Sequence, residues 1–256
     1  MKVITANVNG IRSAFRKGFF IWLAAQEADV VCLQETKAQM NDLLDENLRL
    51  PGYFSYFHDA EKKGYSGVAI YSRQEPDQIS FGLGFPCADT EGRYVQADFG
   101  ELSVASLYLP SGSSGDHRQA FKYDFMAQYY KQLKVIASGS RSFIIGGDWN
   151  IAHQQIDLEN WRSNQKTSGF LPEERAWLDK IINELGWVDA FRVLNQSPSQ
   201  YTWWSMRSRT ARHNNVGWRI DYQMVTPDLK EKIKSVAIYT REFFSDHAPL
   251  IVDYDV

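Results

Sequence analysis

The sequence predicts an α/β fold in which two mixed sheets pack face to face with helices on their outer surfaces. Three observations carry that reading. Short runs rich in β-branched and aromatic residues recur from end to end, as strands require. Helical stripes of apolar residues interrupt them in three places. Some strand patterns follow one another directly, such as 94–99 and 102–108, which suggests antiparallel meanders, whereas others are followed by helices, which suggests layering.

Taken in order, strands are expected over 3–8, 28–33, 66–71, 94–99, 102–108, 143–145, 219–225, 236–239 and 249–254. The first helical stripe is Phe15, Phe19, Trp22 and Leu23. The second is Phe121, Phe125, Tyr129 and Leu133. The third is Trp177, Ile181 and Leu185 with Leu178 and Ile182, opened by Pro172 and stopped by Gly186. Aromatic residues at helical spacing read as core, not as ligand sites. Ser111-Gly112-Ser113-Ser114-Gly115 reads as a strand-to-helix loop, too short to link domains. With no repeat or low-complexity stretch, one domain over residues 1–256 is expected.

A hydrophobic fraction of 44% and eight tryptophans support a sizeable core and exclude a disordered chain. Cys32 and Cys87 make no disulfide framework, which fits a reducing compartment. Met1-Lys2-Val3-Ile4 enters a strand directly, so no signal peptide is expected. No apolar run approaches the length of a membrane span. A soluble, cytoplasmic monomer with no membrane partner is therefore expected. The net charge of −3 argues against a non-specific nucleic-acid coat protein. It leaves a nuclease open, because acids around a metal lower net charge while basic residues elsewhere grip phosphates. The basic stretch Arg207 to His213 by itself reads as a solvated loop.

The informative pattern is where acidic and amide residues fall. Glu35 follows the run Val30 to Leu33, and Asp148 and Asn150 follow Phe143 to Gly147. Asp221 sits inside Trp218 to Tyr222, Asp246 and His247 precede Ala248 to Val252, and Asn7 and Asn9 lie in the first apolar run. Each alone has a structural reading, as a surface acid, a turn residue or a helix cap. A buried carboxylate without a partner would cost several kcal/mol or neutralise. Several such groups from distant parts of one chain suit a hard divalent cation and a phosphoryl centre.

The conjunction resembles the exonuclease III family of AP endonucleases, within the endonuclease/exonuclease/phosphatase superfamily. It is carried nearly end to end by Asn7-Val8-Asn9-Gly10-Ile11-Arg12, Leu33-Gln34-Glu35-Thr36-Lys37, Gly64 to Ala69, Leu107-Tyr108-Leu109-Pro110 and Gly147-Asp148-Trp149-Asn150 through His153. It continues through Gly169 to Arg175, Tyr201-Thr202-Trp203-Trp204, Val216 to Tyr222 and Ser245-Asp246-His247-Ala248-Pro249, in the family's order. The resemblance implies a four-layer α/β sandwich and a Mg²⁺-dependent enzyme, with Mn²⁺ as the alternative cation, acting on damaged double-stranded DNA. Glu35 looks like the principal metal ligand, helped by Asn7 and Asp246. Asp148 matches the residue that positions or deprotonates the attacking water, and Asn150 would help orient it. His247 matches the phosphate-contacting histidine, with Asp221 as its carboxylate partner. Tyr108 and Asn164 match residues near the scissile phosphate. Trp203, Trp218 and Ile220 match the wall of a small apolar pocket for a base-less sugar.

Physical chemistry agrees with these roles. Phosphodiester hydrolysis needs an in-line nucleophile, neutralised phosphate charge and a stabilised leaving oxygen. A His–Asp pair orients the imidazole and favours its protonated form, which donates to phosphate oxygens. There are departures as well. Asn9 stands where several relatives carry a metal-proximal Asp, and Ser111 and Ser114 stand where the vertebrate enzyme has Asn and a duplex-inserting Arg. A wedge at Ser114 is therefore not expected, nor is an added regulatory segment before Val3. The resemblance implies cleavage 5′ to an abasic site, leaving a 3′-hydroxyl, with 3′-end cleaning and 3′→5′ exonuclease activity beside it. The competing readings are a superfamily phosphodiesterase acting on lipid headgroups, a non-specific nuclease, and a non-catalytic DNA-binding paralogue. The last has no use for Glu35, Asp148, Asn150, Asp221 and His247 together.

Overall fold

The computed structural model describes residues 1–43 and 45–256. Its strands are β1 (Lys2–Asn7), β2 (Val30–Gln34), β3 (Phe54–His58), β4 (Val68–Ser72), β5 (Gln78–Phe81), β6 (Tyr94–Phe99), β7 (Leu102–Tyr108), β8 (Ser142–Asp148), β9 (Val188–Asp189), β10 (Asp221–Val225), β11 (Ile233–Ile238) and β12 (Leu250–Tyr254). Its α-helices are α1 (Ile11–Arg16), α2 (Phe19–Gln26), α3 (Met40–Leu43), α4 (Pro86–Asp89), α5 (Asp116–Ala137), α6 (Pro172–Asn183) and α7 (Ala190–Leu194). Two six-stranded sheets form, in the orders β11-β12-β1-β2-β4-β3 and β5-β6-β7-β8-β10-β9. Each is mixed: β1 runs parallel to β2, and β7 to β8, while their outer neighbours are antiparallel. This is the predicted architecture of two packed sheets with flanking helices.

Burial explains which elements the sequence announced. β2 and β4 are buried at every position, so they read as continuous apolar runs. Between the sheets, Val30, Cys32, Val104 and Ile144 share one core. On the outer face of one sheet, α1 and α2 contribute Ile11, Phe19, Trp22 and Leu23. On the outer face of the other, α5 and α6 contribute Phe125, Tyr129, Leu133, Trp177 and Leu178. Gln34 and Gln223, trapped between the sheets, are both paired, as buried polar groups generally are. Gln34 Nε2 donates to Ser106 Oγ at 2.9 Å, and Gln223 Nε2 donates to the Val3 carbonyl at 3.0 Å.

Three details differ from the sequence reading. The stripe at Phe15 to Leu23 is two helices, because Gly18 takes a left-handed φ of 85° between α1 and α2. Leu185 lies beyond the end of α6 at Asn183. β3, β5 and β9 had no expected counterpart. The first two are exposed outer strands with weak alternation, and β9 has only two residues. No helix among the described residues is long and apolar enough to cross a membrane.

The two parallel pairs position the site. The carboxyl ends of β1 and β2 deliver Asn7 and, one residue past the strand, Glu35. Those of β7 and β8 deliver Tyr108 and Asp148, with Asp221 at the start of β10 directly opposite Asp148. Ligand sites in α/β sheets sit at such strand ends. The parallel pairing of β7 with β8 is close enough that a Cβ on Gly147 would lie 2.0 Å from the Leu107 carbonyl oxygen.

A buried ion network fixes the segment leading into β10. Arg219 Nε meets Asp157 Oδ1 at 2.8 Å and its Nη2 meets Asp189 Oδ2 at 2.8 Å, while Arg192 joins Asp157 at 2.6 Å. Burial opposes ionisation of Asp157, but Arg219 and then Arg192 outweigh it and hold its pKa down at about 2. A depressed carboxylate pKa contributes stability above the ordinary carboxylate range, and that contribution is lost as pH falls through about 2. Asp157→Ala leaves two arginines short of a partner and is expected to lower unfolding free energy by about 3–5 kcal/mol. Urea unfolding at neutral pH checks the magnitude. Below pH about 2, where Asp157 is protonated in both states, the difference from wild type should shrink.

Candidate active site

Glu35 stands at a left-handed φ of 52°, and Asn9, Lys37, Ser66 and Asn150 share that conformation at 43°, 50°, 48° and 51°. Such backbone is costly for non-glycine residues, about 1–3 kcal/mol each. Here the strain at Glu35, Asn9, Lys37 and Asn150 accompanies side chains that meet around one site. Lys37 Nζ lies 2.6 Å from Glu35 Oε2 and also donates to Asn9 Oδ1. Burial works against the Glu35 carboxylate, but the Lys37 charge and the Asn7 hydrogen bond hold its pKa below the ordinary value.

Asn7 joins the two sheets. Its Nδ2 donates to Glu35 Oε1 at 2.8 Å and to Asp148 Oδ2 at 2.9 Å, and its Oδ1 accepts from the Asn9 N–H. Asn150 serves Asp148 twice, through its backbone N–H to Oδ1 at 2.8 Å and its Nδ2 to Oδ2 at 3.3 Å. His247 completes the group. Its Nδ1 is 2.9 Å from Asp221 Oδ2, and its Nε2 is 3.9 Å from Asp148 Oδ2. All three side chains are buried.

Burial and charge together raise both members of the pair, Asp148 and His247. Burial pushes Asp148 up to about 7; His247 opposes this, and the like charges of Asp221 and Glu35 add to it. Burial would lower His247, but Asp221, then Asp148 and Asp246, raise it to about 10. The imidazole is therefore held as a cation at neutral pH, and the Asp148 carboxyl is held above the ordinary carboxylate range. Tyr108 is raised well above its ordinary value, first by burial and then by Glu35.

The residues present suit a hard divalent cation. One ligand atom each from Glu35, Asp148 and His247 can be chosen within 4.8 Å of one another. A histidine must be neutral to ligate, so the cationic His247 is the weakest member of that trio. Glu35 is an ionised carboxylate with access to the cavity. Asp246 also lines it, with Oδ1 accepting from Asn9 at 2.7 Å and Oδ2 from the Trp203 indole at 3.0 Å.

One cavity of about 380 Å³ gathers Glu35, Tyr108, Asp148, Asn150, Asp246 and His247 with Trp203, Trp218 and Ile220. Asn164 does not line it. Its side chain is held in its own turn, donating to the Asn160 carbonyl at 2.8 Å and accepting from Thr167 at 3.1 Å, and Thr167, Ser168 and Gly169 face the cavity instead. Gly169, Arg93 and Arg207 are among the residues to which the sequence reading gave no role at the site. Gly169 has φ +96°, and a Cβ there would sit 3.2 Å from the Trp218 ring. Arg93 is buried beneath Tyr108, 4.6 Å from its ring centroid, and donates to its carbonyl at 2.9 Å. Arg207 lines the rim. Gly169 and Arg207 fall within or beside quoted motifs, so their signal was present; Arg93 sits in no motif.

Residues 4–247 match the model of the endonuclease/exonuclease/phosphatase family. An exodeoxyribonuclease of Bacillus subtilis is 38% identical, over 98% of both chains. The DNA repair nuclease APEX1 of Danio rerio is 35% identical, over 98% of this chain and 81% of that one. The structure of an AP endonuclease from Archaeoglobus fulgidus superposes with a TM-score of 0.90 at 29% identity, covering all of both chains. The chain belongs to the endonuclease/exonuclease/phosphatase family. Within that family it is an enzyme of the exonuclease III type, a branch of DNA-cleaving hydrolases.

Two outcomes test the electrostatics. Glu35→Gln is expected to weaken Mn²⁺ binding by about tenfold or more, the scale for loss of a metal-site group. Electron paramagnetic resonance of free Mn²⁺ reads this without turnover, and unchanged affinity would remove Glu35 from the ligand set. His247→Ala and Asp221→Ala are expected to be strongly non-additive in kcat, since both act through one imidazole. Full multiplicative losses in the double variant would dissolve the pair.

Proposed function

We propose that this chain is a Mg²⁺-dependent AP endonuclease of base excision repair. It hydrolyses the phosphodiester 5′ to an abasic site in duplex DNA and leaves a 3′-hydroxyl, with 3′-end cleaning and 3′→5′ exonuclease activity beside it. The cytoplasm is its expected compartment and the monomer its working form. One observation carries the reading: an apolar wall of Trp203, Trp218 and Ile220 shares a cavity with the hydrolytic side chains. A lipid-headgroup or general nuclease site has no use for a tryptophan-walled recess beside the carboxylates.

Glu35, assisted by Asn7 and Asp246, would hold the cation. When bound, that cation neutralises phosphate charge and stabilises the leaving oxygen. Asp148 takes the proton of the attacking water, a task suited to a carboxylate whose pKa is raised by burial. Asn150 fixes its two oxygens, and Asn7 keeps it apart from Glu35. His247, kept cationic by Asp221, donates Nε2–H to a phosphate oxygen. Tyr108 offers its hydroxyl beside it, and it remains protonated because its pKa is raised. Asn164 approaches the phosphate only if its turn opens.

Selectivity follows from exclusion. A recess walled by Trp203, Trp218 and Ile220 would reject a nucleotide that carries its base. An abasic sugar enters, and extruding it costs less because pairing and stacking are already lost there. The test is a labelled duplex with one abasic analogue, with and without Mg²⁺, beside an undamaged duplex and a blocked 3′ end. Wild type should cut the abasic duplex only with metal, and Trp218→Ala should narrow its preference over the undamaged duplex. Asp148→Asn should lose about 10²-fold or more in turnover while keeping or tightening DNA binding. Equal cleavage of both duplexes by wild type overturns the reading in favour of a general nuclease.

A further inference from the structure

We propose that the buried ion pair of Lys122 and Glu174 is a positioning device for the active site. Its lysine end holds the backbone that aims Asp148, and its glutamate end holds the rim of the apolar pocket. This inference rests on the abasic-endonuclease reading above.

Both side chains are wholly buried, and Lys122 Nζ lies 2.6 Å from Glu174 Oε1. Neither touches the cavity. A buried pair seldom stabilises a fold more than apolar residues of the same volume do. What distinguishes this one is its remaining hydrogen bonds. Lys122 Nζ donates to the Asn150 carbonyl at 2.8 Å. Asn150 is the left-handed residue, φ 51°, whose backbone and side-chain N–H groups both grip Asp148. Lys122 thus secures a strained turn from behind, on the side away from the cavity.

Glu174, at the third position of α6, works on the other wall. Its Oε2 accepts from the Gly169 N–H at 2.6 Å and the Leu171 N–H at 3.0 Å. Its Oε1 accepts from Gln119 at 3.1 Å and from Ser168 Oγ at 3.4 Å. Gly169 is the residue packed against the Trp218 ring, and its carbonyl accepts from the Ala152 N–H at 2.8 Å. Lys122 and Gln119 lie on α5 and Glu174 on α6. The pair therefore ties both helices to the hydrolytic turn and to the pocket rim. Burial pushes the Lys122 pKa down, with Glu174 opposing, so removing the acid alone would leave a poorly held ammonium.

Removing one partner leaves a buried charge and risks unfolding, so the test uses two double variants. Lys122→Met/Glu174→Gln removes both charges and the bond to Asn150, yet keeps an acceptor for Gly169 and Leu171. We expect it to fold, to lose about 10- to 100-fold in kcat on the abasic duplex, the scale of sub-ångström misplacement, and to keep KM and the preference over undamaged duplex. Lys122→Met/Glu174→Leu also removes the acceptor. We expect the same kcat loss plus a several-fold narrowing of the preference. Thermal melting runs alongside. Wild-type kcat in the first variant, an intact preference in the second, or losses that simply track melting temperature would overturn the proposal. So would failure of both to fold, which would make the pair a folding strut. A wild type without abasic preference would instead indict the function reading, so the two failures are distinguishable.

Discussion

The structure is organised around the crowding of like charges at the junction of its two sheets. Glu35, Asp148 and Asp221 come from three separate strand ends, Asp246 comes from the loop before β12, and all four meet around one imidazole. Carboxylates this close repel one another, and burial removes the water that would screen them. The neighbouring residues answer that constraint. Asn7 inserts its amide between Glu35 and Asp148. Lys37 neutralises one side of Glu35, Asn9 and Trp203 occupy the two oxygens of Asp246, and Asp221 keeps His247 charged. An arriving cation and phosphate then complete a balance of charge that the free protein meets only in part.

The same arrangement explains why the pocket is where it is. Trp203 lends its indole N–H to Asp246 and its ring to the apolar wall, so the recess and the carboxylates are built from shared residues. Trp218 packs edge-on to Trp203 and to Phe170, and the Arg219 network anchors the chain between Trp218 and Ile220. In the proposed function, these contacts would couple shape selection to hydrolysis at distances of one side chain.

Much of this was legible in the sequence, for a physical reason. A carboxylate directly after a buried parallel strand is conspicuous because the run before it is uniformly apolar, as at Val30 to Leu33 before Glu35 and Phe143 to Gly147 before Asp148. Helices α5 and α6 were visible through their buried stripes. What stayed hidden is whatever depends on a partner remote in the chain. Lys122 reads as an exposed helical lysine until Glu174 is folded against it, and Arg93 reads as a surface arginine until Tyr108 covers it. The half-exposed β3 and β5 carry too little apolar alternation to announce themselves. Asn164 was placed by motif resemblance, and local hydrogen bonds in its turn decide where its side chain points.

The most direct test of this account is the ionisation of Asp148 itself, followed by carbon-13 NMR of its side-chain carboxyl in the metal-free protein and again with saturating Mg²⁺. The account predicts a metal-free midpoint well above the ordinary carboxylate range, a lower one once Mg²⁺ adds positive charge nearby, and an imidazolium at His247 that persists well above the ordinary histidine range. A metal-free midpoint in the ordinary carboxylate range, unmoved by Mg²⁺, would contradict it.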